Sequence, residues 1–143
     1  MELKPGLSAL VTGGASGVGK ALSLALAQKG VFVTIVGKEV ATLAEKKCAK
    51  FHSGLEFPVV MFIRCDVTDV GELKAAFEKH FVTYGGLDIC INSAGIGDII
   101  PFRNDRTDGS KSWRHTVNVN LVGVIDSTHL TVNSDSLFYG CSS

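Results

Sequence analysis

Apolar and polar positions along the chain switch between two periods. Leu7 to Thr12 is a short apolar run that stops at glycines, as a buried strand does. Gly17 to Lys29 repeats apolar residues at helical spacing, with Val18, Ala21, Leu22, Ala25 and Leu26 on one face and Gly30 as the stop. Val31 to Val36 is rich in β-formers and reads as a second strand. Glu39 to Phe51 reads as a helix, and Val59 to Cys65 as a third strand ending at Asp66. Thr68 or Asp69 can cap the next helix, whose apolar stripe is Val70, Leu73, Phe77, Phe81 and Tyr84 and which Gly85 ends. Leu87 to Ile91 is a fourth strand. The polar loop from about Gly95 to Ser110, with Pro101 inside it, is long enough to be expected functional or mobile. Trp113 to Leu130 is a last helix, with Val117, Leu121, Val124 and Ile125 expected to face a core.

Strands alternating with helices predict an α/β fold. The expected architecture is a Rossmann-type doubly wound parallel sheet in three layers, α/β/α. The 143 residues suit one domain, expected over 1–130, with an irregular serine-rich tail from Thr131 to Ser143.

Composition narrows the function classes. Lys plus Arg and Asp plus Glu are 14 each, so no charge excess marks a nucleic-acid or anionic-membrane surface. No apolar run approaches the roughly 18 residues of a membrane span. Met1 to Ser8, broken by Pro5 and Gly6, does not read as a signal peptide, so a cytoplasmic setting is expected. Cys48, Cys65, Cys90 and Cys141 have neither zinc nor redox spacing and are expected to be reduced structural thiols. His52, His80, His115 and His129 lack metal-ligand spacing and are expected on solvated helix faces, so no metal site is expected.

The first strand runs into Thr12-Gly13-Gly14-Ala15-Ser16-Gly17-Val18-Gly19. A glycine turn between strand and helix lets backbone approach a pyrophosphate closely. The helix start, at Gly17, Val18 and Gly19, offers free N–H groups and the positive end of a dipole. Ser16 can add a hydroxyl donor. The turn is therefore expected to bind a dinucleotide, NAD or NADP.

The spacing is Gly-x-x-x-Gly-x-Gly, and with the preceding Thr it resembles the fingerprint of the short-chain dehydrogenase/reductase family. Further matches follow in order. The resemblance implies that Asp66 accepts the adenine amino group and that the Val67 N–H reaches the ring; a helix-capping role for Asp66 is the alternative. Asn92-Ser93-Ala94-Gly95 resembles the family's Asn-Asn-Ala-Gly segment, with Ser93 in place of one Asn. It implies that Asn92, Ala94 and Gly95 stabilise the sheet and touch the adenine-side ribose. Asn120, before Leu121-Val122-Gly123-Val124, matches the family Asn that holds a helix kink and a water of the proton relay, the catalytic role carried over here. Cys65-Asp66-Val67, Leu87-Asp88-Ile89 and Asn120-Leu121-Val122 look most like 15-hydroxyprostaglandin dehydrogenase-type members.

The resemblance implies hydride transfer between NAD(P) and a secondary alcohol or ketone, in members that are usually homo-oligomers. Two departures qualify it. The acidic residue that usually follows the second strand is replaced by Gly37; Glu39 could substitute, while Lys38 could favour a 2′-phosphate. The family's catalytic Ser and Tyr-x-x-x-Lys are missing: four positions after Tyr139 stands Ser143. The chain is thus expected to be incomplete on its C-terminal side, with the fourth strand left as a sheet edge and without turnover. A non-catalytic nucleotide-binding or subunit-pairing fragment is the alternative.

Overall fold

The computed structural model of the chain describes residues 2–38, 58–97 and 100–134. The helix expected over Glu39 to Phe51, together with Glu39, His52, Cys48, Cys141, Tyr139 and most of the expected tail, lies outside the described residues. Elements follow in chain order: β1 Ser8–Thr12, α1 Gly17–Gln28, β2 Phe32–Gly37, β3 Val60–Arg64, α2 Val70–Tyr84 and β4 Ile89–Asn92. Next come a short 3-10 turn at Phe102–Asn104, then α3 Trp113–Val117, a π-helical segment Asn118–Val122 and α4 Gly123–Val132.

The four strands form one parallel sheet in the order β3-β2-β1-β4. β1 is buried along its whole length because strands flank it on both sides and helices cover its faces. Its alternation sorts the core into two layers. Ala9 and Val11 join Leu26 and Ala27 of α1 with Val33 and Ile35 of β2. Leu10 and Val36 point the other way, to Leu73, Phe77 and Phe81 of α2 and to Val119 and Leu130 of the last helices. This is the three-layer α/β/α arrangement. β4 is the sheet's outer strand beside β1 and is only half-buried. At its start, Asp88 Oδ2 accepts from the Ser8 backbone N–H at 2.8 Å, tying the two strand entries together.

α2 shows why its ends fall where they do. Asp69 accepts from the Glu72 N–H at 3.0 Å as the N-cap, and Gly85 closes the helix in the left-handed conformation. The capping falls to Asp69, which leaves Asp66 outside the helix.

Several faces differ from the pattern. On α1 the buried residues are Gly19, Ser23, Leu26 and Ala27, while Val18 is 70% exposed and Ala21, Leu22 and Ala25 are exposed too. On α2, Val70 is exposed and His80 is buried along with Leu73, Ala76, Phe77 and Phe81. On the last helices, Val119, Gly123, Ser127 and Leu130 turn inward, whereas Val117, Leu121 and Ile125 are exposed and Val124 is half-buried. The reason is steric. A Cβ on Gly123 would stand 3.1 Å from Val67 Cγ2, and Ser23 sits against Gly14 in the same way, so small residues let backbone approach backbone. The widest apolar stripe is thus not the packed one. His80 is fully buried, not solvated, and lies 2.7 Å through Nδ1 from Thr34 Oγ1. α4 also continues through Thr131 and Val132, beyond the expected helix end.

Candidate functional site

Parallel strands bring their C-terminal ends to one edge of the sheet. The strand order runs outward through β2 and β3 on one side of β1 and reverses to β4 on the other. The crevice outside such a reversal is where open α/β sheets take ligands. Here it is a cleft of about 380 Å³, walled by Gly13, Ala15 and Ser16 after β1, by Gly37 and Lys38 at the end of β2, and by Cys65, Asp66 and Val67 after β3. Ala94, Gly95 and Ile96 after β4, with His115 and Val119 from the last helices, complete it.

The glycine turn is held by backbone bonds and by close packing. Gly13 N–H donates to the Val36 carbonyl at 2.7 Å. Gly13 has φ +66°, and a Cβ there would fall 2.6 Å from Ala94 Cα. A Cβ on Gly19 would fall 2.5 Å from the Gly13 carbonyl oxygen. Both positions are therefore closed to side chains, and the α1 start can lie directly on the turn. Ser16 is the N-cap residue of α1, but its side chain makes no capping bond, and no acidic residue occupies the first turn. α2, by contrast, is closed by the Asp69 carboxylate and carries Glu72 in its first turn. α1 thus begins after Ser16 on the cleft wall with no built-in anion, and an external anion fits such a helix start.

Asp66 is the cleft's carboxylate. Its Oδ1 accepts from Thr68 N–H at 3.0 Å and Thr68 Oγ1 at 2.7 Å, and its Oδ2 pairs with Lys38 Nζ at 2.7 Å. Its backbone N–H donates to Glu72 at 2.7 Å. Burial alone would raise its pKa; the Lys38 ammonium and the Thr68 donors outweigh that and hold it below the ordinary carboxylate value. Beside it, burial foremost and then the neighbouring carboxylates push the Cys65 thiol up to about 12, so this wall of the cleft carries an inert thiol. Cys90, half-buried in β4, is a free thiol as well.

The remaining named residues act as supports around the cleft. Ala94 N–H donates to Thr12 Oγ1 at 3.3 Å, which pins the β4 loop to the glycine turn. Asn92 lies behind the wall, where Nδ2 donates to Thr128 Oγ1 at 3.2 Å and Oδ1 accepts from Ser127 Oγ, so it braces β4 against α4. Asn120 sits in the π-helical segment, and its side chain makes two bonds to one residue of the β4 loop. Its Oδ1 accepts from Ile96 N–H at 2.8 Å and its Nδ2 donates to the Ile96 carbonyl at 2.9 Å. An Asn in mid-helix is locally unfavourable, and the widened turn with this two-point bond accounts for its presence. The structure therefore gathers Gly13, Ser16, Asp66, Val67, Ala94 and Gly95 on the cleft wall. Gly17, Val18 and Gly19 do not line it: Gly17 and Val18 are exposed and Gly19 is buried against Gly13, while Asn92 and Asn120 hold the β4 loop from behind.

Sequence reasoning did not place Ile96, His115 or Val119 at the site, and His115, expected on a solvated helix face, is half-buried on the cleft wall. They share no motif, and only the docking of the last helices beside the β4 loop brings them in. The Phe102–Trp113 region stands apart from the cleft: the two rings lie 6.5 Å apart, Phe102 is exposed, and Arg114 lies 4.3 Å over the Trp113 ring. Among the described residues no three His, Cys, Asp or Glu side chains converge on a metal-holding cluster, and no helix is long and apolar enough to cross a membrane.

Comparison with known proteins shows the family and the fold. The short chain dehydrogenase family model matches residues 8–135. The chain is 37% identical over 125 residues to rat (Rattus norvegicus) 15-hydroxyprostaglandin dehydrogenase [NAD(+)], covering 87% of this chain and 42% of the relative. It is 35% identical over 124 residues to the 3-oxoacyl-[acyl-carrier-protein] reductase FabG of Thermotoga maritima, covering 86% of this chain and 48% of that one. Among solved structures, a short chain dehydrogenase from Burkholderia cenocepacia in complex with NADP superposes with a TM-score of 0.77 at 30% identity, over 92% of this chain and 52% of that one. The chain thus spans about half the length of the relatives it matches.

Proposed function

The chain belongs to the short-chain dehydrogenase family, and from that premise we propose that its cleft binds the adenosine and pyrophosphate portions of NAD or NADP. The observation that carries this reading is the uncapped, acid-free start of α1 lying against the closed glycine turn. In it, Gly13, Ser16, Gly17, Val18 and Gly19 hold the pyrophosphate, Asp66 and Val67 take the adenine, and Ala94 and Gly95 form the ribose side with Asn92 bracing their loop from behind. Bound there, a nicotinamide dinucleotide supplies the hydride donor or acceptor for interconverting a secondary alcohol and a ketone. Asn120 serves by fixing the Ile96 backbone, and with it the loop that borders the cleft. A cytoplasmic setting and a homo-oligomeric assembly belong to the same reading.

These residues include two tyrosines, Tyr84 and Tyr139, and the positions four later hold Asp88 and Ser143, not Lys. A Tyr–Lys pair is what lets a phenol move the carbinol proton near neutral pH. The reading therefore assigns these 143 residues dinucleotide binding without turnover of their own. A second reading, a non-catalytic module that pairs with another subunit, is favoured by one observation. Val117, Leu121, Ile125 and Val132 leave an exposed apolar stripe along the last helices.

Fluorescence titration with NADH and NADPH, alongside a secondary-alcohol oxidation assay, tests both parts. Saturable binding of at least one nucleotide with no turnover above background is expected. Turnover would overturn the claim about the missing pair; failure of both nucleotides to bind would overturn the cleft assignment.

A further inference from the structure

The dinucleotide reading gives the base an edge contact at Asp66 and leaves its faces to the rest of the cleft; the proposal below rests on that reading. Two walls of the cleft come from loops after strands: Asp66 and Val67 after β3, and Ala94, Gly95 and Ile96 after β4. A third comes from the last helices, through His115 and Val119. His115, Val119 and Gly123 stand four positions apart, so they follow one another along one side of that helical segment. Gly123 is buried, and a Cβ there would stand 3.1 Å from Val67 Cγ2. Val119 shares a core cluster with Val67. His115 is half-buried at the end of the row, where it leaves the core for the cleft.

The His115 ring is also unengaged. Its neighbours on α3 have partners: Trp113 meets Phe102 and Arg114, Arg114 Nε donates to the Asp108 carbonyl, and Thr116 Oγ1 donates to the Ser112 carbonyl. His115 makes no hydrogen bond, ion pair or ring contact among the described residues. It is the one aromatic ring among the described residues that line the cleft.

We propose that His115 is a base-contacting residue, whose ring lies against the face of the adenine and closes the cleft from the helix side. The reason is a division of labour. A carboxylate such as Asp66 accepts in the plane of the base and covers neither face. Val67, Ile96 and Val119 supply aliphatic contact. A purine face gains most from a second π-face, and His115 supplies it without needing a charge.

Calorimetric titration of NADH and 5′-ADP into the wild-type chain, His115→Ala, His115→Gln and His115→Phe tests this. The Ala and Gln variants are expected to bind both nucleotides about five- to hundredfold more weakly, with Tm unchanged. His115→Phe is expected to keep most of the affinity. A wild-type measurement stands beside the variants. The His115 ring-proton signals should move upfield saturably with 5′-ADP, through the ring current of the base, and stay in place with inorganic pyrophosphate. His115→Phe behaving like His115→Ala, or His115→Gln like the wild type, would overturn the ring contact. Unchanged affinity in all three variants, or ring signals unmoved by 5′-ADP, would do so as well and leave the dinucleotide reading intact. If neither nucleotide binds the wild type, both fall together.

Discussion

Lowering the pH from about 7.5 to about 4 forces a proton toward His80, a side chain that the fold holds neutral. His80 is fully buried between α2 and the sheet. The Phe81 and Tyr84 rings stand edge-on to it at 5.9 and 5.2 Å, and Thr34 Oγ1 takes Nδ1. Its Nε2 has no hydrogen-bond partner of good geometry among the described residues. Burial pushes the imidazole pKa down from 6.5 to about 4, with the Gly86 backbone and the Asp88 carboxylate offsetting only part of it. A folded-state pKa below the unfolded one means stability that is complete above about pH 6.5 and declines as pH falls toward 4. Two-state linkage with these values gives a loss of about 2 kcal/mol by pH 5 and about 3 kcal/mol by pH 4. That is a large share of the roughly 5–15 kcal/mol expected of a domain. Urea unfolding followed by Trp113 fluorescence and circular dichroism, at matched ionic strength across this range, measures it. The double variant His80→Leu with Thr34→Val removes the imidazole without orphaning the hydroxyl. It should lack this component while keeping whatever acid loss the carboxylates cause. If variant and wild type lose stability in parallel from pH 7 to 4, the buried neutral imidazole is not the cause.

Three further outcomes follow from the same geometry. Gly19→Ala drives a methyl into the Gly13 carbonyl region, where a Cβ would lie 2.5 Å from oxygen. It should cost about 1–3 kcal/mol in urea unfolding and weaken NADPH binding more than that loss alone explains. Asp69→Ala removes the α2 cap and should cost about 1 kcal/mol, read as a lower Tm, with dinucleotide affinity unchanged. Cys65, buried with its thiol pKa near 12, should stay unmodified by a maleimide at pH 7.5 in the folded chain and react in urea, as peptide mass spectrometry will report.

The strand runs were legible because parallel strands covered on both faces read as continuous apolar stretches, and β1 and β2 are of that kind. The turn at Gly13 to Gly19 was legible because its constraint is local: the backbone itself needs those glycines. Asp69 as cap and Gly85 as stop were legible for the same reason. What periodicity could not give was the buried face of α1 and of the last helices. There small residues, Gly19, Ser23, Gly123 and Ser127, pack for close approach beside Leu26, Ala27, Val119 and Leu130, while Val18, Leu22, Val117, Leu121 and Ile125 point outward. His80 was misread because its burial depends on Thr34, 46 positions earlier. The Asp66–Lys38 pair was equally hidden, since it needs the β2–β3 register to bring Gly37 beside Arg64. Asn120 was marked by its motif, but its two-point bond to Ile96 required the π-helical turn to be seen.

The central claim is that the start of α1 holds a dinucleotide's pyrophosphate, and amide resonances read that directly. In a titration with NADPH, the backbone N–H signals of Gly17, Val18 and Gly19 should shift saturably, together with those of Val67 and Gly95. Shifts absent from Gly17 to Gly19, or confined to the groove of Val124, Thr128 and Val132 on the outer helix, would contradict it.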